Sequence, residues 1–230
     1  MKIKFLGHSA FLVEGSKTLL FDPFLTDNPV AAAKPYDLRP DFILVSHGHS
    51  DHFGDALDIA KAADATIISV NELALYAMRR GANAHPMHIG GRQRFAEDLT
   101  VKLTTALHGN ALIEDGLSQY LGMPCGFLVE MDGLTLYFAG DTALTYDMKA
   151  VIGDLNKIDV AMIPIGDNYT MGPEDAVKAV EWLNPRIVIP MHYNTFPLLA
   201  QDGGAFAARI ETEQPGKKVF PLKPGETLEL

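Results

Sequence analysis

Apolar residues occur along this chain in short runs that are separated by polar and turn-forming residues. Runs rich in Val, Ile, Leu and Phe and bounded by Gly, Pro, Asn or Asp are typical of strands, whereas apolar residues at helical spacing indicate helices. The pattern predicts strands at residues 2–6, 11–13, 18–21, 42–45, 66–70, 99–106, 127–130, 134–139, 160–163 and 186–190. It predicts helices at residues 55–63, 71–80, 146–155, 173–183 and 206–213.

Turn-forming residues support several of these boundaries. Asp132-Gly133 lies between two predicted strands and is a strong signal for a tight hairpin. Pro173 fits the first position of a helix, and Gly81 fits the position just after one. Residues 24–40 and 109–126 are expected to be long irregular loops, and loops of that length in a compact domain are often functional.

Strands with helices distributed through both halves of the chain predict an α/β fold. The arrangement that buries both kinds of element is two packed sheets with helices outside, a four-layer αβ/βα sandwich. The chain has 230 residues, of which 47% are hydrophobic and 21% charged, so it can bury a substantial core. We therefore expect a single domain over residues 1–230.

The net charge of the chain indicates which kinds of binding partner are unfavourable. Nineteen basic and 29 acidic residues give a formal net charge of -10, which disfavours binding to nucleic acids or anionic membranes. The basic pairs at Arg79-Arg80 and Arg92/Arg94 are too short to form a convincing basic patch. A small-molecule substrate is the expectation, and a homo-oligomer is compatible with this composition.

Cysteine content and hydropathy indicate the compartment. Cys125 is the single cysteine, so no internal disulfide can form. The chain begins with a predicted strand and shows neither a secretory leader pattern nor an apolar run of roughly 20 residues that could span a bilayer. These observations favour a cytoplasmic protein.

The strongest chemical signal is His47-Gly48-His49-Ser50-Asp51-His52, which directly follows the predicted strand at 42–45. Imidazole suits zinc, iron, nickel and copper, and a carboxylate extends the range to manganese. Side chains two apart on an extended segment point the same way, so His47 and His49 can bind one ion. Asp51 and His52 come after the bend and can reach a second ion. A purely structural role for this many ligand-type residues at one strand end is a weak alternative.

Three later residues occupy matching positions. His108 follows the strand at 99–106, Asp141 follows the strand at 134–139, and His192 follows the strand at 186–190. Functional residues gather at such strand ends because loops vary there on a rigid scaffold. Together with the first motif, these residues predict a metal site at one edge of the sheets.

This series of ligands resembles the signature of the metallo-β-lactamase superfamily, in which His-x-His-x-Asp-His is followed by a distant His, an Asp and a final His. The segments at 7–11, 164–173 and 190–197 resemble additional motifs of the small metal-dependent hydrolases related to ascorbate-6-phosphate lactonase. The resemblance implies the fold predicted above. It also implies that His47, His49 and His108 bind one ion, that Asp51, His52 and His192 bind another, and that Asp141 bridges the two.

The resemblance further implies a hydrolase with two divalent ions per chain, zinc or manganese in the first place, with nickel or iron as alternatives. Such ions lower the pKa of water from 15.7 to about 7 and so supply hydroxide at neutral pH. The substrate expected is a small ester, lactone or phosphate ester. The catalytic candidates are Asp51, a ligand of the second ion, and His8, which can orient the substrate or act as a general acid. Asn168, Tyr169, Asn194 and Thr195 are candidates for substrate binding.

Other functions remain open at this point. Phosphodiesterase or nuclease-like activity uses the same kind of site, although 230 residues leave no room for an inserted RNA-recognition domain. Iron-dependent redox enzymes share related folds, but their di-iron members typically carry Glu at the position of His49. A metal-binding module without catalysis is a further alternative, although the ligand set is complete.

Overall fold

The structure is a computed structural model that describes residues 1–114 and 116–230. Its first sheet contains the strands β1 (Lys2–Gly7), β2 (Ala10–Glu14), β3 (Thr18–Phe21), β4 (Phe42–Leu44), β5 (Thr66–Val70), β6 (Ala84–Met87) and β16 (Thr227–Glu229). They are ordered β16-β1-β2-β3-β4-β5-β6. The pairs from β16 to β3 are antiparallel, and those from β3 to β6 are parallel.

The second sheet also has seven strands, with an antiparallel part and a parallel part. It contains β7 (Arg92–Ala96), β8 (Leu99–Thr105), β11 (Cys125–Met131), β12 (Leu134–Phe138), β13 (Val160–Pro164), β14 (Ile187–Met191) and β15 (Lys218–Val219). The order is β15-β14-β13-β12-β11-β8-β7, antiparallel from β7 to β12 and parallel from β12 to β15. The strands β9 (Ala111–Glu114) and β10 (Leu117–Tyr120) pair with each other as a separate hairpin.

The helices lie outside the two sheets. They are α1 (Ser50–Phe53), α2 (Ala56–Ala63), α3 (Asn71–Arg79), α4 (Pro173–Leu183) and α5 (Gly203–Glu213), with single turns at Pro35–Asp37, Met148–Gly153 and Pro197–Leu199. Helices α2 and α3 contact the first sheet, and α4 and α5 contact the second. The αβ/βα sandwich predicted from the sequence is confirmed. In the part of the chain that the structure describes, no helix has the length and apolar character needed to cross a membrane.

Aromatic side chains join the inner faces of the two sheets. Phe11 and Phe21 of the first sheet contact Phe138 of the second, with ring centroids 6.3 and 5.0 Å apart, and Phe21 also contacts Phe127. All four rings are fully buried. Burying a side chain of this size stabilises the fold by roughly 1.5–3 kcal/mol, so these contacts hold the sheets, and the loops at their ends, in fixed relative positions.

The hairpin prediction at Asp132-Gly133 is confirmed in detail. Met131 pairs with Leu134, so the turn consists of two residues. Asp132 has φ of 52° and Gly133 has φ of 76°, the left-handed conformation that tight hairpins require and that these residue types tolerate.

One sequence prediction is wrong, and another holds only in part. Residues 109–126 are not a continuous loop, because they contain the β9–β10 hairpin. Leu112 is buried, but Ile113 and Leu117 are 72% and 75% exposed, so the apolar residues of the hairpin do not alternate with polar ones in the way that predicts a half-buried strand. The helix predicted at residues 146–155 is present but shorter, Met148–Gly153, and it is π-helical: the N–H of Asp154 bonds five residues back to Lys149.

The sequence did not predict the short strands β6 and β7, which lie at sheet edges. Strand β6 contains Pro86, which cannot donate a ladder hydrogen bond and is tolerated only at an edge. Strand β7 is mostly exposed and polar, and it forms one edge of the second sheet. Edge strands need few apolar residues, and polar residues there discourage association with other chains.

The single cysteine gives a test of the packing. Cys125 is fully buried in β11, and burial raises the pKa of its thiol well above the ordinary value. A protonated, buried thiol is a poor nucleophile. We therefore expect no reaction of the native protein with an aromatic disulfide reagent at pH 8, and one equivalent of reaction in guanidinium chloride. A rapid reaction of the folded protein would show that β11 is accessible.

Candidate metal centre

Ligand-type side chains gather where strands of both sheets end. His8 follows β1, Asp22 follows β3, and the motif from His47 to His52 follows β4. His108 follows β8, Asp141 follows β12, and His192 follows β14. Because the sheets pack face to face, these loops meet at one end of the sandwich. The structure brings together all seven residues predicted as metal ligands.

His47, His49 and His108 form the first group. Nε2 of His47 lies 2.9 Å from Nδ1 of His49, and Nε2 of His108 lies 3.3 Å from that same nitrogen. Their candidate ligand atoms all lie within 4.8 Å of one another. Three imidazoles at this spacing can bind one ion.

His8, Asp51, His52 and His192 form a second group whose candidate ligand atoms also lie within 4.8 Å of one another. Asp141 lies between the two groups. One carboxylate oxygen is 3.2 Å from Nε2 of His52, and the other is 3.1 Å from Nε2 of His192 and 3.5 Å from Nε2 of His108. Asp141 therefore contacts members of both groups, which is the position that a shared carboxylate ligand needs.

Gly140 allows Asp141 to come this close to the first sheet. It has φ of 62°, and a Cβ at this position would lie 2.8 Å from both the Cys125 carbonyl oxygen and Cβ of Ser46. A larger residue would push the loop after β12 away from the loop after β4.

A buried aspartate orients two of the histidines. The Asp22 carboxylate lies 2.7 Å from Nδ1 of His52 and accepts hydrogen bonds from the Ser46 backbone N–H and hydroxyl. The Ser46 oxygen in turn lies 2.9 Å from Nδ1 of His47. With Nδ1 of both rings occupied by these partners, Nε2 of each ring faces the cluster. Such partners of ligand histidines fix the tautomer and the ring orientation.

The donor set fits divalent metal ions. Among the described residues, Nε2 of His52, Nε2 of His192 and Oδ1 of Asp141 are buried and have no hydrogen bond of good geometry, although they lie 3.1–3.2 Å from other cluster atoms. Leaving a buried polar atom unsatisfied costs roughly 1–3 kcal/mol. Cations placed among these nitrogen and carboxylate atoms would satisfy all three.

The pKa values of the cluster histidines also favour a bound cation. Burial lowers the pKa of His47, His49 and His108, so these rings are neutral at pH 7 and their lone pairs are free to bind a cation. Burial opposes a charge on His52, but Asp141 and Asp22 outweigh it and raise its pKa well above the ordinary value. The surroundings of His52 therefore favour positive charge.

His8 is fixed by contacts on both ring nitrogens. Burial lowers its pKa to about 4, partly offset by the hydrogen bond with Asp51, so the ring is neutral at pH 7. In the neutral tautomer that fits both contacts, Nε2–H donates to Asp51 at 3.3 Å, and Nδ1 accepts from the Thr195 hydroxyl at 2.8 Å. His8 also packs on His192, with ring centroids 4.0 Å apart. Its own contacts therefore reach both Asp51 and His192.

The four residues predicted to bind substrate have different surroundings. Thr195 is buried against His8, and Tyr169 is 59% exposed on the loop after β13. Asn168 has φ of 47° in the same loop. Both ends of the Asn194 amide bond the backbone of Gln201, so this side chain stabilises the loop after β14.

Sequence reasoning missed Asn110 as a residue that orients the cluster. It is buried, its Oδ1 accepts the N–H of Gly48 at 2.8 Å, and its Nδ2 donates to the Leu121 carbonyl at 2.7 Å. Asn110 thus ties the segment between His47 and His49 to the base of the β9–β10 hairpin. Its neighbour His108, two positions earlier, is the sequence signal that could have drawn attention to it.

Replacing Asn110 by alanine should weaken metal binding about 10–100-fold, the usual effect of removing a group that orients a ligand loop. The Gly48 N–H and the Leu121 carbonyl would lose their partner. The measurement is chelator competition with zinc and with manganese. Asn156→Ala is the matched control, because Asn156 also donates to a backbone carbonyl, that of Ile152, outside the cluster. Equal metal affinity in both variants would contradict this role.

Two mixed sheets flanked by helices, with a histidine and aspartate cluster at their strand ends, define a protein of the metallo-β-lactamase fold. Residues 2–192 match the model of the beta-lactamase superfamily domain. The chain is similar over its full length to UPF0173 metal-dependent hydrolases of Desulforamulus reducens, at 55% identity, and Pelotomaculum thermopropionicum, at 52%; the whole length of each relative is covered. The chain belongs to this family of metal-dependent hydrolases within the beta-lactamase superfamily.

Comparison with a solved structure supports the same fold and class of enzyme. The chain is similar to Igni18, a metallo hydrolase from the archaeon Ignicoccus hospitalis, with 35% identity and a TM-score of 0.89. The similarity covers 100% of this chain and 98% of the other. The fold predicted from the sequence and the assignment as a metal-dependent hydrolase are therefore both confirmed.

Proposed function

We propose that the protein hydrolyses a small ester, lactone or phosphate ester with the help of two divalent ions held by the cluster. The observation that supports this proposal most directly is the position of Asp141, whose two oxygens face histidines of both groups. In the proposal, His47, His49 and His108 hold one ion, and Asp51, His52 and His192 hold the other. Asp141 is shared.

Bound ions of this kind supply a hydroxide nucleophile at neutral pH and stabilise the negative charge of the transition state. The chain's own residues position the reaction. Asp22 and Ser46 hold the rings of His52 and His47, so the ligand atoms need little reorganisation when substrate binds. His8 holds Asp51 through its Nε2–H and is itself held by Thr195. Part of the Asp51 side chain stays exposed, which leaves this face of the cluster open to substrate.

The first test is metal content. We expect about two equivalents of zinc or manganese per chain after loading and desalting, as a two-metal hydrolytic site requires. His85→Ala is a matched control, because His85 packs on Phe95, away from the cluster, and its loss should leave the stoichiometry unchanged. His49→Ala should reduce it. One equivalent at saturation in the unaltered protein would contradict the two-metal assignment.

The second test is a substrate screen with the loaded protein. Carboxylic esters, lactones, phosphate monoesters and phosphodiesters should be compared at equal concentration, with iron-loaded protein and oxygen as a separate arm. Turnover of an ester, lactone or phosphate ester that is lost in His49→Ala and kept in His85→Ala supports the proposal. Phosphodiester turnover alone would favour the nuclease-like alternative, and oxygen consumption without hydrolysis would favour redox chemistry.

A further inference from the structure

Thr142 is a buried residue that connects two loops of the metal centre. It directly follows Asp141 in the loop after β12, and it is fully buried. Its hydroxyl oxygen accepts the N–H of Leu107 at 3.0 Å, and its O–H donates to the carbonyl of Ala143 at 2.7 Å. Leu107 directly precedes His108 in the loop after β8. The hydroxyl therefore joins the loop that carries His108 to the loop that carries Asp141.

A second hydrogen bond joins the same two loops. The N–H of Ala143 donates to the carbonyl of Leu107 at 3.1 Å, so both backbone polar groups of Leu107 are bonded to the segment that follows Asp141. Thr142 is itself held in place, because its carbonyl accepts the N–H of Met171 from the loop after β13 at 3.0 Å. The hydroxyl is thus fixed between the two loops that supply ligands.

The His108 ring depends on its backbone for orientation more than the rings of His47 and His52 do. Those two rings are held at Nδ1 by hydrogen bonds to protein side chains. In the part of the chain that the structure describes, the His108 ring makes polar contacts only through Nε2, which lies 3.5 Å from the Asp141 carboxylate. With no protein partner at Nδ1, the position of the ring is set by the backbone beside it.

We infer that Thr142 is a positioning residue, whose hydroxyl sets the distance between the His108 imidazole and the shared Asp141 carboxylate. The inference rests on the proposed function, in which both side chains bind the same ion and supply its ligands from the second sheet. Groups that orient ligands commonly change metal affinity about 10–100-fold. Thr142 acts on the main chain next to His108, whereas Asp22 and Ser46 act on ligand rings directly.

The experiment measures metal affinity by chelator competition, with zinc and with manganese, in Thr142→Val and Thr142→Ser. Valine has nearly the shape of threonine but no hydroxyl, so the N–H of Leu107 loses its partner. The affinity for one ion should fall about 10–100-fold in Thr142→Val. Serine keeps the hydroxyl and should restore most of it. Thr104→Val is the matched control, because Thr104 is buried in the strand that leads to His108 and its hydroxyl has no hydrogen-bond partner among the described residues.

A double-mutant cycle separates positioning of His108 from a general loss of stability. In His108→Ala the bond to Leu107 no longer has a ligand to position, so adding Thr142→Val should lower metal affinity by less than about 2-fold. A substitution that only destabilises the fold would instead show its full effect in both backgrounds. Unchanged affinity in Thr142→Val, failure of serine to restore it, or full additivity with His108→Ala would overturn the inference.

Amide hydrogen exchange of the metal-free protein tests the contact itself. The N–H of Leu107 should exchange about 5-fold faster in Thr142→Val than in the unaltered protein, the scale of one lost hydrogen bond, and Thr104→Val should leave its rate unchanged. Equal exchange in Thr142→Val and the unaltered protein would also overturn the inference. If Leu107 loses protection as expected while the unaltered protein binds fewer than two ions, Thr142 joins the loops as inferred and it is the proposed two-ion function that fails.

Discussion

Asp141→Ala is expected to abolish hydrolysis more completely than the loss of any single histidine. Its carboxylate contacts His52 on one side and His192 and His108 on the other, so it is the one residue proposed to touch both ions. Removing it takes away a shared ligand and the negative charge that screens two cations from each other. Loss of one electrostatic group in an active site costs about 10²–10³-fold in kcat, and a shared group should cost at least that much.

The measurement compares kcat and metal content of Asp141→Ala with those of His49→Ala and His192→Ala. Asp159→Ala is the matched control: Asp159 is also buried, but it accepts the Thr135 N–H and pairs with Arg186, away from the cluster. That variant should be less stable yet keep about two ions per chain. Asp141→Ala with near-normal turnover and both ions bound would show that the carboxylate is not a bridging ligand.

His8→Ala is expected to lower kcat by roughly 10²-fold, the scale of a positioned acid–base or hydrogen-bonding group, while both ions stay bound. The reason is geometric: the ring holds the Asp51 carboxylate on one side and contacts Thr195 on the other. The ring is buried against His192, so its loss leaves a cavity and the melting temperature should fall by a few degrees.

Metal content and the pH profile distinguish the possible roles of His8. Loss of an ion in His8→Ala would make His8 a ligand, as its place among Asp51, His52 and His192 permits. Because its pKa is lowered to about 4, the ring stays neutral from pH 6 to 9, and the activity of the unaltered protein should show no ionisation of His8 in that range. This favours hydrogen-bond donation over release of a proton. Thr195→Val removes the partner of Nδ1 and should give part of the same loss of kcat.

The sequence predicted the fold and the cluster well because both depend on local patterns. The buried strands β3, β4, β5 and β13 appear within a residue of their predicted ends, since buried strands must be apolar. The helix α4 does so because its apolar residues recur at helical spacing after Pro173. The candidate ligands could be found because each follows such a strand. Both features depend on residues that are neighbours in the sequence, so they can be recognised without knowing how the rest of the chain folds.

The supporting contacts could not be read in the same way, because they depend on which strands are neighbours. Asp22 meets Ser46 only because β3 and β4 are parallel partners, with Phe21 opposite Leu44. Asn110 meets Gly48 only because the β9–β10 hairpin is placed beside the loop after β4. Nothing local in the sequence encodes these pairings. A contact of Asp22 with a ligand histidine could be suggested from its position after β3, but the role of Asn110 in orienting the cluster was missed.

The division of the cluster between the two sheets has a consequence for folding. The first sheet and its loops supply His47, His49, Asp51 and His52, and the second supplies His108, Asp141 and His192. Each proposed ion therefore has ligands from both sheets and acts as a cross-link between them, much as a disulfide joins two segments of a chain. A ligand that binds only the folded state stabilises it by mass action. A cell short of metal would then hold this protein in a form that is less stable as well as inactive, and the population exposed to proteases would rise.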